Sequence, residues 1–293
     1  LVKKSYGWFL FFSILSGLAK EQIWLIVALF GACIFIFHKK RLFGAAVFFT
    51  SLSLFYFLIW QLIPNARGAQ HFALSYYFDF GDSPTAIVKN ALLSPDKILG
   101  TFFMQDRKDY LYQLFLPLGF LPILSPLSLV FALPDLLINI LSSNANLRQL
   151  YFHYTATLTP FLFIGAIFGI KNLQKIFPKL PLFFYSLYLI LTALYAAYFF
   201  GPLPFAKSPN VDMFIKPQSN REIINDILSR IPNKYSVAAT NNLGSHLSQR
   251  EKIFTIPIGV EKAVFVIFLL NDPFAQPSLQ AQKDLANKLK YNK

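Results

Sequence analysis

The sequence predicts a polytopic α-helical membrane protein that carries a small α/β domain at its C-terminal end. Three observations lead there. Of 293 residues only 14% are charged and 17% are aromatic, 34 of them Phe, whereas a soluble domain carries about a quarter charged residues. Apolar runs recur along the first two thirds of the chain and stop near Gly201, as membrane-spanning helices require. Beyond that point, short β-branched and aromatic runs alternate with helical patterns.

Residues 6–19 and 22–37 are apolar and are parted by Lys20-Glu21. A single helix over both would run about 48 Å against a hydrocarbon core of about 30 Å, so two short spans joined by a charged turn fit better. His38-Lys39-Lys40-Arg41 precedes a full-length span at 42–63. Residues 111–119 with 120–123, then 127–141, contain Pro117, Pro122, Pro126 and Pro134. They read as a broken helical hairpin, either crossing twice or re-entrant. Residues 155–170 and 182–200 bring the total to about seven spans.

Basic turns orient the spans. With Lys3-Lys4, the His38 to Arg41 turn and the Lys171, Lys175, Lys179 turn in the cytoplasm, every short basic turn is satisfied at once. The Lys20-Glu21 turn, the loop 64–110, the polar stretch at 142–154 and everything after 201 then face outward. The expected organisation is a transmembrane domain, 1–201, with outer loop 64–110, and an extracytoplasmic α/β domain, 202–293, in the plasma membrane. Loop orientation and anionic lipid account for the net charge of +13. No basic stripe with interleaved aromatics is present, so membrane lipid is an expected partner and nucleic acid is not. The single Cys33 excludes an intrachain disulfide.

Within the outer loop, GDSPTAIVKNALL and LLSPDKILGTFF each place Ser before Pro, the pair that starts a helix. These short helices either lie in the membrane interface or serve as packed connectors. In the last third, 221–230 and 277–290 read as helices, NNLGSHLSQR as a short helix, and 235–239, 252–256 and 263–270 as strands of a parallel or mixed sheet. Neither G-x-G-x-x-G nor a P-loop occurs, so no nucleotide site and no cofactor are expected.

The polar residues of the membrane domain suggest the site. Asp135 lies well inside the apolar run ALPDLLINIL, and an ionisable group at that depth is a functional candidate because burying charge is costly. If the helix continues, Asn139 and Ser143 share its face; alternatively Pro134 ends one helix and Asp135 begins another. The stretch LSSNANLRQLYFHYTATLT concentrates Asn144, Asn146, Arg148, Tyr151, His153 and Tyr154. An Arg fork suits phosphate, and Tyr and His suit a lipid-linked polar head. The alternative is an interfacial aromatic belt with a snorkelling Arg. Asp82 reads as part of a helix start, and Asp106 and Asp109 with Arg107 and Lys108 as a mutually screened surface cluster. His38, His71, His153 and His246 are scattered, so no metal site is expected, and no Ser-His-Asp order argues for hydrolysis.

LAKEQIWL (18–25), LPLGFLPILSPLSLVFALPDLLINILSSN (116–144), LRQLYFHYTATLTPFLFIGA (147–166) and ATNNLGSHLSQREKIFTIP (239–257) resemble the bacterial and archaeal membrane proteins grouped as domain of unknown function 2079. That family is similar in architecture to GT-C glycosyltransferases. The resemblance therefore implies a GT-C-like fold and transfer of a sugar from a polyprenyl-phosphate donor to an extracytoplasmic acceptor. It also implies N-terminal helices before Leu1 and a catalytic base in the first outer loop, upstream of this sequence. Within the chain, Glu21 and Asp135 are the carboxylates to weigh as catalytic. Glu21 matches an acidic position of the family's Lys-Glu pattern, with Gln22 where a second Glu is often found. The candidate ligand-binding set is Arg148, Tyr151, His153, Tyr154, Asp135, Asn139 and Lys20. The alternative function is a transporter or lipid-binding protein whose Asp135 and Asn139 line a polar cavity. The orientation predicts that a cysteine placed at Lys293 reacts with an impermeant maleimide in intact cells. Labelling only after permeabilisation would reverse the topology.

Overall fold

The structure, a computed structural model, describes residues 5–68, 71–209, 211, 215–216, 220–272, 275 and 278–291. Lys3, Lys4 and Lys293, used above for orientation, lie outside the described residues. The chain forms two compact units, Leu1–Val211 and Asp212–Lys293.

The first unit is helical. α1 (Tyr6–Ala19) and α2 (Ile23–Phe37) are separated by the Lys20-Glu21-Gln22 turn. α3 (Arg41–Phe57) runs through a π-turn at Leu58–Leu62 into α4 (Ile63–Arg67). Pro64 has no N–H for the residue 60 carbonyl, and the π-turn lets the helix pass it without breaking. Gly68 ends the segment in a left-handed conformation. α5 (Pro84–Leu93), α6 (Pro95–Phe102) and α7 (Gln105–Phe115) follow. Two 3-10 turns then lead to α8 (Pro126–Leu141), α9 (Thr159–Ile176) and α10 (Leu182–Phe200).

Among the described residues, two helices are long and apolar enough to cross a bilayer, Arg41–Arg67 with 27 residues and Leu182–Phe200 with 19. Three shorter apolar helices accompany them: Tyr6–Ala19, Ile23–Phe37 and Pro126–Leu141. Many of their large side chains face outward: Trp8, Phe12 and Leu15 on α1, Phe183, Leu187 and Leu194 on α10. Such surfaces need a hydrocarbon solvent.

Glycine sets the closest helix pair. A Cβ on Gly31 of α2 would stand 2.6 Å from Phe48 N and 2.9 Å from Gly44 O, and one on Gly44 of α3 would stand 2.5 Å from Phe35 N. Backbones meet here with nothing between them, the small-residue packing that replaces hydrophobic drive in lipid. The hairpin of α7 and α8 is broken at Pro117 and Pro122, where two 3-10 turns replace the helix, and α8 starts at Pro126. At its turn Gly119 adopts φ +57° against the ring of Tyr188, whose hydroxyl donates to Gly119 O at 3.0 Å.

Several local expectations change. α8 runs unbroken across Pro134, so Asp135 is mid-helix and does not begin a new one. The helix stops at Leu141, and Ser143, predicted to continue the Asp135 face, donates instead to Tyr76 O at 2.8 Å. The span predicted at 155–170 starts at Thr159 and extends to Ile176, because the basic residues Lys171 and Lys175 continue the helix. Ser83 accepts from Ala86 N at 3.3 Å as the Ser-Pro pattern predicts, but Ser94 makes no side-chain cap. Ser94 also closes α5, its N–H bonding Asn90 O at 2.9 Å, which holds its backbone away from the extended form a cap uses.

The second unit is α/β. α11 (Arg221–Ser229), β1 (Val237–Ala239), α12 (Asn241–Gly244), β2 (Ile253–Thr255), β3 (Phe265–Ile267) and α13 (Leu279–Tyr291) follow in order. The sheet is parallel, in the order β2-β1-β3, with Ala238 registered on Phe254 and Val266. Central β1 is fully buried, and Leu228, Leu243 and Leu247 pack around it with Ile224 and Ile253. Of the predicted α11 stripe, Ile224 and Leu228 reach this core while Ile223 and Ile227 face outward.

The Gly31–Gly44 contact yields a direct test. Gly31→Leu should separate α2 from α3 and cost about 1–3 kcal/mol, measured as a lower unfolding midpoint in detergent. Gly7→Leu, where a Cβ meets nothing within 4 Å, should be close to wild type.

Candidate functional site

α8 carries the two polar side chains that organise the first unit. Asp135 is 1% and Asn139 2% exposed, one helical turn apart on the same face. Thr157, just before α9, donates its hydroxyl to Asp135 Oδ2. The other oxygen, Oδ1, is buried without a hydrogen bond of good geometry. The α1–α2 turn brings Lys20, Glu21 and Gln22 within electrostatic reach of this carboxylate. Asn139 Nδ2 donates to Tyr110 Oη at 3.0 Å and to Tyr154 O at 3.2 Å. Lys20 Nζ sits 5.4 Å above the ring of the same Tyr154, a cation–π distance. Tyr77, from the loop after α4, donates to Ile138 O at 2.9 Å, and burial raises its phenol above the ordinary tyrosine value.

Glu21 stands nearer the surface. His71 Nε2 lies 3.5 Å from Glu21 Oε1. The hydrogen bond from His71 outweighs partial desolvation and holds the Glu21 carboxyl below its usual range. Glu21 is therefore ionised at neutral pH.

An apolar groove of about 700 Å³ leads away from this cluster between α1, α2 and the start of α9. Phe9, Phe12, Ile26, Phe30 and Phe161 line it, with Ser13 on its wall. Thr157, the residue bonded to Asp135, also lines it. The groove thus reaches the residue that is hydrogen-bonded to the buried carboxylate, not the carboxylate itself. Among the described residues, no three His, Cys, Asp or Glu side chains converge as metal ligands would.

The family profile described as "Predicted membrane protein (DUF2079)" matches residues 1–292. The chain belongs to the DUF2079 family. No curated protein and no solved structure matches it.

The DUF2079 chain distributes the sequence-predicted site residues unevenly. Lys20, Glu21, Asp135, Asn139 and Tyr154 come together. Tyr151 does not; it is 74% exposed and its hydroxyl reaches Gln149. His153 is exposed and lies against Tyr154 at 4.4 Å between ring centroids. Arg148 is buried in a different set of contacts. Its Nη1 donates to Asn139 O at 3.2 Å and Ser142 O at 2.6 Å, while Nε and Nη2 meet Asp106 Oδ2 at 3.1 and 2.9 Å. Arg107 joins from α7, donating to Ile140 O at 3.3 Å and Ser142 O at 3.2 Å and pairing with Asp106.

Two guanidinium groups therefore cap the last carbonyls of α8, where the helix dipole favours positive charge. Both edges of the Arg148 fork are engaged, so the phosphate fork expected of it is occupied by protein. Asp106 is half-exposed and pairs with Arg107, as expected of the surface cluster, and it is also the counter-ion of this cap through Arg148. The sequence also left Thr157, Tyr110, Tyr77 and His71 unassigned. A lone polar residue beside an apolar run gives no periodic signal, and each acquires its role only through contacts across the fold.

Burial raises the Asp106 carboxyl, but the hydrogen bonds and charges of Arg107 and Arg148 outweigh it and leave the group below the usual aspartate range. A lowered carboxyl contributes stability that is fully present above the ordinary aspartate value and is lost as pH falls through the folded value. Asp106→Asn should lower the unfolding midpoint at neutral pH, and its difference from wild type should shrink as pH falls below the ordinary aspartate value of about 3.9. A difference that persists at the acid end would mean the cap does not depend on this charge.

Proposed function

We propose that the chain is the membrane part of an enzyme that moves a sugar from a polyprenyl-phosphate carrier to an acceptor hydroxyl on the outer membrane face, with seven passes and a GT-C-like plan. The observation that carries this reading is an apolar groove lined by Thr157, whose hydroxyl binds Asp135, with Lys20 within electrostatic reach of that carboxylate. An isoprenoid tail matches the lining of α1 and α2. A phosphate at the groove's end meets Lys20, which has no carboxylate bound to it at ion-pair distance among the described residues. The cation assigned to the phosphate is thus Lys20, since Arg148 is held in the α8 cap.

In the transfer the acceptor oxygen bonds to the anomeric carbon while the bond from that carbon to the phosphate oxygen breaks. The phosphate leaves with the electron pair and is stabilised by Lys20. The acceptor proton passes to a carboxylate. Glu21 suits that step because it is ionised and partly solvent-exposed, whereas Asp135 is sealed and holds Thr157. Asp135 orients Thr157 at the head of the groove. The transport reading has less support, because the Asn139 amide is engaged by Tyr110 and Tyr154 and does not line an open path.

Binding of a short-chain polyprenyl phosphate to purified protein in bilayer discs tests the assignment. A charge-assisted contact contributes roughly 1.5–3 kcal/mol, so Lys20→Met should weaken binding by about one to two decades. Ser13→Phe, which fills the groove from its wall, should weaken it as well. Wild-type affinity in both variants would overturn the reading.

A further inference from the structure

Glu21 is oriented by a residue from a distant loop. His71 places Nε2 3.5 Å from Glu21 Oε1, and its other ring nitrogen, Nδ1, accepts the N–H of Ala73 at 3.2 Å. A nitrogen that accepts carries no proton, so in the neutral ring the proton sits on Nε2 and points at the carboxylate. The ring is only 7% exposed and is anchored at the start of the 3-10 turn Phe72–Tyr77. Its tautomer and its direction are thus both set by local backbone.

We propose that His71 is a positioning residue for the transfer, fixing Glu21 with one carboxylate oxygen against the ring and the other turned to the acceptor hydroxyl. The inference rests on the sugar-transfer reading and extends it: the loop 64–110 becomes part of the site, where the sequence offered only short helices. Among the described residues two other titratable groups face Glu21: Lys20, on the same turn, favours its ionised form, and Asp135, on α8, is within electrostatic reach of it. The hydrogen bond from His71 is the largest of these influences, ahead of desolvation, which opposes it. A carboxylate kept ionised and aimed is ready to take a proton without first losing one.

Glu21 is one of four glutamates, with Glu222, Glu251 and Glu261, so carboxyl carbon resonances of 13C-glutamate-labelled protein in bilayer discs can be assigned with Glu21→Gln. In wild type Glu21 should titrate below the usual glutamate range. His71→Ala should move its midpoint up toward that range, and the acid limb of the transfer rate against pH should move up by the same amount, since the rate follows the ionised fraction. His71→Gln keeps an N–H donor and should restore part of both. Glu21 titrating in the usual glutamate range in wild type, or unmoved in His71→Ala, would overturn the positioning role even if transfer is intact. Should His71→Ala fail to fold, the wild-type midpoint and His71→Gln decide the matter. A wild type with the shifted midpoint but no transfer from a polyprenyl-phosphate sugar would instead reject the transfer reading, and the positioning role with it.

Discussion

An amide buried in the middle of an apolar helix cannot be left without partners, and the first unit is arranged around the one at Asn139. In a medium with no water to substitute, an unmet donor costs on the order of several kcal/mol. Asn139 therefore draws Tyr110 from α7 and the Tyr154 carbonyl from the stretch before α9 to α8. Those two contacts fix the segments that carry Thr157 and Arg148. The α1–α2 turn then closes over the face, with Lys20 on the Tyr154 ring. One side chain in this way registers α8 against both α7 and the stretch before α9.

The end of α8 shows the same requirement met by charge. A helix that stops inside a protein leaves carbonyls exposed to apolar surroundings, and here Arg107 and Arg148 take those of Asn139, Ile140 and Ser142. Burial lowers the Arg148 guanidinium from its ordinary value, yet so strong a base stays charged, which a cap for a helix C-terminus needs. Asp106 balances two positive groups that would otherwise repel at short range. Arg148 is thus held by a carboxylate and by carbonyls, whereas Lys20 rests on the Tyr154 ring with no carboxylate at ion-pair distance among the described residues.

Much of the fold was legible because lipid imposes strong patterns. Spans as long as 42–63 and 182–200 declare themselves by length alone, and the prolines of the hairpin mark where it breaks. The α/β character of the last third followed from β-branched runs, and its strands proved parallel. Local detail was harder. Pro134 was compatible with a helix start or a helix interior, and only packing on both sides of α8 selects the interior. The candidate site was half legible: Asp135, Asn139, Lys20, Glu21 and Tyr154 stood out as polar residues in apolar or interfacial positions. What sequence cannot supply is who meets whom. Arg148 has the same local appearance whether it faces a phosphate or Asp106, 42 residues away.

The groove beside α1 has a consequence for recognition. In water an apolar channel attracts any greasy chain, because burial removes hydrocarbon from water. In a bilayer that advantage disappears: a tail leaving lipid for the groove exchanges one hydrocarbon surface for another. Under the proposed function the groove therefore guides a chain but scarcely selects it, and phospholipid tails, present in great excess, compete on nearly equal terms. On that proposal, discrimination between one lipid and another falls to the polar atoms along it, Thr157 among them.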